Sequence, residues 1–274
     1  MTKYDVSFSL EGRTAVVTGG GGALGGAIAR GMACAGADIV ILGRGAEAGE
    51  KVVRDITEAG GNARFKGCDV TDDDSVTAAR DYTMDTFGKV DILVNAAGGN
   101  MAGAVLVGLD ALLDMSSDDF RKVVDLNLAG TILPVRTFAR PMAEAGHGSI
   151  INISSMAAFQ PMTRSMGYAA AKAGVDNATR FLAVHFAQAG LTGVRVNAIA
   201  PGFFLGEQNR ALLTNPDGSP TERGQLVLDG TPFGRFGEPE ELIGAAVWLA
   251  SDAAKFVTGI TVPVDGGFMA YSGV

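Results

Sequence analysis

TGGGGALGG, Thr18–Gly26, follows directly on the apolar run Ala15, Val16 and Val17. Glycine lets a backbone turn into left-handed conformations and approach another group with no Cβ between them. A strand, a glycine turn and a helix in succession make an anion site, because exposed N–H groups meet the positive end of the helix dipole. The helix is legible: Leu24, Ala27, Ile28, Gly31, Met32 and Ala35 recur at helical spacing, and Gly36 is placed to end it. The glycines fit two frames. Gly20, Gly22 and Gly25 satisfy GxGxxG, whereas Gly19 and Gly25 satisfy TGxxxGxG with Ala23 where a glycine is expected.

Outward from this turn, short apolar runs alternate with helical segments, the pattern of βαβ units and a parallel sheet. The runs are Thr14–Val17, Ile39–Leu42, Ala63–Gly67, Ile92–Val94, Ser149–Ile153, Val194–Ile199 and Ile260–Val264. A late helix is expected from Pro239, with Glu240 and Glu241 at its positive end and Leu242, Ala245, Ala246 and Leu249 buried. Residues 203–230 have few periodic apolar positions and contain NPDGSP, so they read as an irregular lid. No linker, repeat or charge block divides the chain, and one α/β domain over residues 1–274 is expected.

Composition removes several classes of function. The 274 residues are 47% hydrophobic and 19% charged, enough to bury a large core. A net charge of −8 with pI near 4.8 argues against a nucleic-acid partner. Cys34, Cys68, His147 and His185 show no metal-ligand spacing, so no metal is expected. The opening MTKYDVSFSL lacks a signal-peptide core, and polar residues interrupt the uncharged stretch 92–109, so a cytoplasmic protein with no membrane partner is expected.

Tyr168 and Lys172, in GYAAAKAG, stand four apart and share a helix face. An ammonium beside a phenol favours the phenolate, and such a tyrosine exchanges a proton near neutrality. Ser155 ends the run GSIINISS thirteen residues earlier, where its hydroxyl can orient a carbonyl or alcohol oxygen. Asn127, in DLNLAG, is an amide set in an otherwise amphipathic helix.

Together, TG…G, NAAG at Asn95–Gly98, Asn127, Ser155, Tyr168, Lys172 and PG at Pro201–Gly202 make the chain resemble the short-chain dehydrogenase/reductase family from about Gly12 onward. The resemblance implies a Rossmann-type doubly wound parallel sheet of about seven strands in the order 3-2-1-4-5-6-7. It implies Tyr168 as general acid/base and Lys172 as the group that lowers its pKa and holds the nicotinamide ribose. Ser155 then positions the reacting oxygen, and Asn127 steadies a relay water. For the cofactor it implies Gly19, Gly21, Gly22 and Leu24 at the pyrophosphate. Asp69, Val70, Asn95, Ala96 and Gly98 fall at the adenosine, with Pro201 and Gly202 at the nicotinamide end.

Within the family, NAAGGN, PGFF…EQNR, GRFGEPE and the ending PVDGGFMAYSGV are similar to the sugar-acid and polyol branch of D-mannonate oxidoreductases and fructuronate reductases. The second strand ends at Leu42, Gly43 and Arg44 with no acid for a ribose hydroxyl, so NADP is expected ahead of NAD. Gly206 stands where family members often carry a threonine against the nicotinamide amide, which implies a weaker grip there. Arg164, between Ser155 and Tyr168, and Gln208, Asn209 and Arg210 in the lid are expected to meet a small-molecule substrate carrying a carboxylate and hydroxyls. A homo-oligomer, a tetramer by resemblance, is expected from the apolar C-terminal end.

Two other readings share these residues. A 3-oxoacyl carrier-protein reductase would need a basic docking surface, which a −8 chain with Ala189 in place of an arginine does not suit. A non-catalytic dinucleotide-binding regulator would not need all four of Asn127, Ser155, Tyr168 and Lys172.

Overall fold

The computed structural model describes residues 6–273, with only the backbone described at Glu207 and Gln208. Seven strands form one parallel sheet in the order β3-β2-β1-β4-β5-β6-β7. They are β1 Thr14–Thr18, β2 Asp38–Gly43, β3 Ala63–Gly67, β4 Ile92–Asn95, β5 Gly148–Ile153, β6 Val194–Pro201 and β7 Thr261–Val264. Each lies within a residue or two of its expected apolar run. The chain order reverses its direction of travel between β1 and β4, and doubly wound sheets open their ligand crevice at that switch.

Helices cover both faces. They are α1 Ala23–Cys34, α2 Ala46–Glu58, α3 Asp73–Phe87, α4 Asp110–Leu113, α5 Ser117–Val124, α6 Gly130–Ala145, α7 Met166–Gln188, α8 Glu207–Leu213, α9 Glu222–Asp229 and α10 Ile243–Ala250. The central strands are buried on both sides, and alternate residues feed two cores. Ala15, Val17, Ile39 and Ile41 join Ile28, Met32, Leu242 and Leu249 on one face. Val16, Val40, Leu42 and Leu93 join Val76, Phe138 and Met142 on the other.

Two expectations need correction. The helix expected from Pro239 begins as a 3-10 turn over Pro239–Leu242, where Glu241 bonds back to the Glu238 amide at 2.9 Å, and becomes α10 only at Ile243. The lid is not irregular. It holds α8 and α9, whose ends are set by Asn209 and by the Thr221 cap on the Gly224 amide at 3.0 Å. Both helices are short and bury few apolar side chains, Leu213 and Val227 among them, so periodicity does not reveal them. Among the described residues no helix is long and apolar enough to cross a membrane.

Candidate active site

Gly19 turns the chain out of β1 at φ +62°, and a Cβ built on it would lie 2.7 Å from the Ala97 nitrogen. A Cβ on Gly25 would lie 2.5 Å from the Gly19 carbonyl oxygen, so these two glycines pack on each other and select the TGxxxGxG frame. Gly22 caps α1 with no side chain, and Gly21, Gly22 and Ala23 lie open to solvent to different degrees, so the helix start faces the crevice with bare backbone. Leu24 is half-buried behind it. This cradle fits a pyrophosphate. Ala23 places its methyl at the rim, where the nearest neighbour of a Cβ built on Gly206 would be that methyl.

The ends of β2, β3 and β4 continue the cleft. Arg44 is exposed after β2, and its charge reaches Asp69 after β3. The Asp69 carboxyl is held below the usual carboxylate range, first by the Thr71 amide at 3.0 Å and hydroxyl at 2.7 Å, then by Arg44. Val70 is buried and packs toward the start of α6, where a Cβ on Gly130 would meet it. Asn95 turns its side chain inward, donating to Asn152 Oδ1 at 2.9 Å, and Asn152 donates to the Thr179 hydroxyl at 2.9 Å. Only the backbone of Asn95–Gly98 is therefore offered to the cleft, with Ala96 and Ala97 bonded to the Thr18 hydroxyl.

The catalytic candidates meet at the end of β5. Ser155 caps a 3-10 turn, accepting from the Ala157 amide at 3.2 Å, and its hydroxyl stands close enough to the Tyr168 phenol to favour the phenolate. Lys172 is buried, one turn along α7, and donates to the Ile153 carbonyl at 2.7 Å. Its Nζ lies 5.6 Å from the centre of the Tyr168 ring. Burial pushes the Tyr168 phenol up, the Ser155 hydroxyl opposes this, and Lys172 makes no direct bond to it. Burial also lowers the Lys172 ammonium, to about 8, which still leaves it mostly charged near neutrality.

Asn127 sits in a π-helical turn, Asp125–Ala129, rather than in a regular helix. Its Nδ2 donates to the Gly99 carbonyl at 2.6 Å and the Val123 carbonyl at 2.8 Å, and its Oδ1 accepts from the Gly99 amide at 3.1 Å. The side chain thereby fixes the Gly98–Gly99 strap. A Cβ on Gly98 would lie 2.7 Å from Asn127 Oδ1 and 3.4 Å from Lys172 Nζ, so only glycine lets the strap lie over both groups. At the far side, Pro201 closes β6 and Gly202 bonds to the Val264 carbonyl at 2.9 Å, where a Cβ would meet Asp265.

The substrate candidates divide. Arg164 is exposed at φ +76° in the loop before Tyr168. Asn209 is committed to the lid's own hinge, accepting from the Gly206 amide and donating to the Phe204 carbonyl, each at 2.8 Å, so it is not free for substrate. Arg210 is exposed on α8, and the Gln208 side chain lies outside the described residues. Sequence reasoning missed Asn152, whose internal partners lie far away in the chain, and Arg223, which reaches from α9 to Thr163.

The family model described as Enoyl-(Acyl carrier protein) reductase matches residues 21–269. The chain is 48% identical to the uncharacterized oxidoreductase UxuB of Bacillus subtilis (strain 168), over 97% of this chain and 98% of that protein. A solved structure assigned as a D-mannonate oxidoreductase from Haemophilus influenza, with bound NAD, superposes with TM-score 0.89 at 40% identity, covering 97% of this chain and 98% of the other. Another, assigned as an NAD(P)-dependent gluconate 5-dehydrogenase from Beutenbergia cavernae with NADP bound at low occupancy, gives TM-score 0.85 at 37% identity, covering 96% and 99%.

Proposed function

The chain belongs to the short-chain dehydrogenase/reductase family, and on that premise we propose that this NAD(P)-dependent oxidoreductase interconverts a secondary alcohol and a ketone on a sugar acid or polyol, of the D-mannonate/D-fructuronate type. The observation that carries the reading is the meeting of Ser155, Tyr168 and Lys172 at the end of β5, beside the bare start of α1. The named sugar-acid enzymes among its structural relatives support the substrate class.

The dinucleotide, when bound, accepts or donates the hydride. Tyr168 gives its phenolic proton to the ketone oxygen in reduction and takes the alcohol proton in oxidation. Ser155, beside that phenol, points its hydroxyl at the same oxygen. Lys172, anchored on the Ile153 carbonyl, places a cation near the Tyr168 ring that favours the phenolate and would hold the nicotinamide ribose of a bound dinucleotide. Asn127 acts as a positioning residue by holding the Gly98–Gly99 strap. Gly19, Gly21, Gly22 and Leu24 seat the pyrophosphate, Asp69, Val70 and Asn95–Gly98 line the adenosine, and Pro201–Gly202 border the nicotinamide. Arg44, exposed and next to Asp69, favours NADP over NAD because guanidinium pairs well with a 2′-phosphate.

The same reading treats residues 1–274 as one catalytic unit with a lid over about 203–230, acting in the cytoplasm as a homo-oligomer, a tetramer by the family resemblance. A screen of hexonates, ketohexonates and polyols with NADP(H) and NAD(H) in parallel tests it. Hydride transfer lost in Tyr168→Phe supports the assignment, and undiminished turnover in that variant defeats it.

A further inference from the structure

Arg223 stands out among the lid residues. Its Nη1 donates to the Thr163 hydroxyl at 2.9 Å and its Nη2 to the Thr163 carbonyl at 3.4 Å, so α9 is tied to the loop that runs from Ser155 to Tyr168. Its Nε is buried and, among the described residues, has no hydrogen-bond partner. Neither Arg223 nor Arg164 forms a salt bridge among the described residues, and the positive charge of Arg164 acts on Arg223. A buried donor without an acceptor is unfavourable, and an anion beside the Arg223 guanidinium would relieve it.

The space for that anion exists. A cavity of about 210 Å3 is walled by Gln160, Met162, Thr163, Phe203, Arg223 and Phe268, among others. One water needs only ~10–15 Å3, so a small organic acid has room. Its walls come from the Ser155–Tyr168 loop, from Phe203, which follows Pro201–Gly202, from the lid, and from Phe268 near the C-terminus. Arg164 holds a left-handed backbone that a non-glycine residue adopts only under constraint, and its carbonyl accepts from the Leu106 amide at 3.0 Å. The loop bearing both Thr163 and Arg164 is thereby fixed from two sides.

We propose that Arg223, on the wall of this cavity, is the residue that recognises a substrate carboxylate, so that the enzyme selects sugar acids over neutral polyols and the lid closes on the acid. Arg210 and Asn209, the lid residues that the sequence offers first, are not needed for it. The inference rests on the sugar-acid and polyol reading above and narrows it.

The test is calorimetric binding of D-gluconate and D-mannonate, against D-sorbitol and D-mannitol, to the protein saturated with NADP. It compares wild type, Arg223→Met, Arg223→Lys and Thr163→Val, with thermal melts to confirm folding. Wild type should prefer the hexonates. Arg223→Met should reduce that preference at least ~10-fold, the loss of one charge-assisted pair, and Arg223→Lys should restore part of it. Equal binding of hexonates and polyols by wild type, no hexonate binding, or parallel weakening of both classes in Arg223→Met would each overturn the proposal. Arg223-dependent hexonate binding with no hydride transfer to any substrate in the screen would leave this anion site standing and sink the oxidoreductase assignment instead.

Discussion

A Cβ built on Gly206 would lie 3.6 Å from the Cβ of Ala23, so the first residue of α1 and the hinge of the lid face each other across the rim of the cleft. These are the two positions where the chain departs from its family's pattern, and the structure makes them neighbours. Gly206 has an extended backbone at φ −139°, which any residue can adopt. Gly206→Thr should therefore fold and add a hydroxyl at the nicotinamide end, tightening NADP(H) several-fold, about the worth of one hydrogen bond. Unchanged affinity by fluorescence titration would show that the gap is not a weak point.

The Ser155 hydroxyl favours the Tyr168 phenolate, and the proton must pass through that phenol. Tyr168→Phe should lower kcat by ~10²–10⁴, the range of general acid–base catalysis. Ser155→Ala should lower it less, since the phenol remains. Steady-state rates in both directions decide the order.

Lys172 titrates near 8 in the folded protein, against 10.5 when free, because burial penalises its charge. Between those values the unfolded chain binds the extra proton, so stability rises with pH across that window. The contribution of this one group amounts to about 3 kcal/mol at the upper end. Lys172→Met should flatten the rise in denaturation midpoint over that range. An equal slope in wild type and variant would mean that the amine is solvated.

Arg44 is exposed at the end of β2 with Asp69 within reach of its charge. Arg44→Asp should lower kcat/KM for NADP at least ~10-fold relative to NAD, because a paired guanidinium becomes a like charge against the 2′-phosphate. A ratio that does not move would assign Arg44 to the surface alone.

Much of this was legible in the residues. The parallel sheet followed from seven apolar runs, because strands buried on both faces show in composition, and the strand order from the family resemblance. Gly19, Ser155, Tyr168 and Lys172 followed from spacing along single elements. What escaped was fixed by partners distant in the chain. The engagement of Asn127 with Gly99 depends on a π turn that no period reveals, and the link from Arg223 to Thr163 spans two separate loops. The raised Tyr168 phenol escaped as well, since spacing shows that Lys172 is near but not that burial outweighs it.

The buried string Asn95–Asn152–Thr179 runs from β4 through β5 to α7. A slip of α7 by one residue would strand amides in the interior, so the helix carrying the chemistry has a single seating against the sheet. The lid is attached differently, by rim contacts such as Arg223 to Thr163 and the bridge of Phe204 to Gly237. A mutant library confined to residues 160–164 and 203–230 would therefore sample new substrates while the reaction itself is carried over intact, making this scaffold one whose selectivity can be retrained separately from its catalysis.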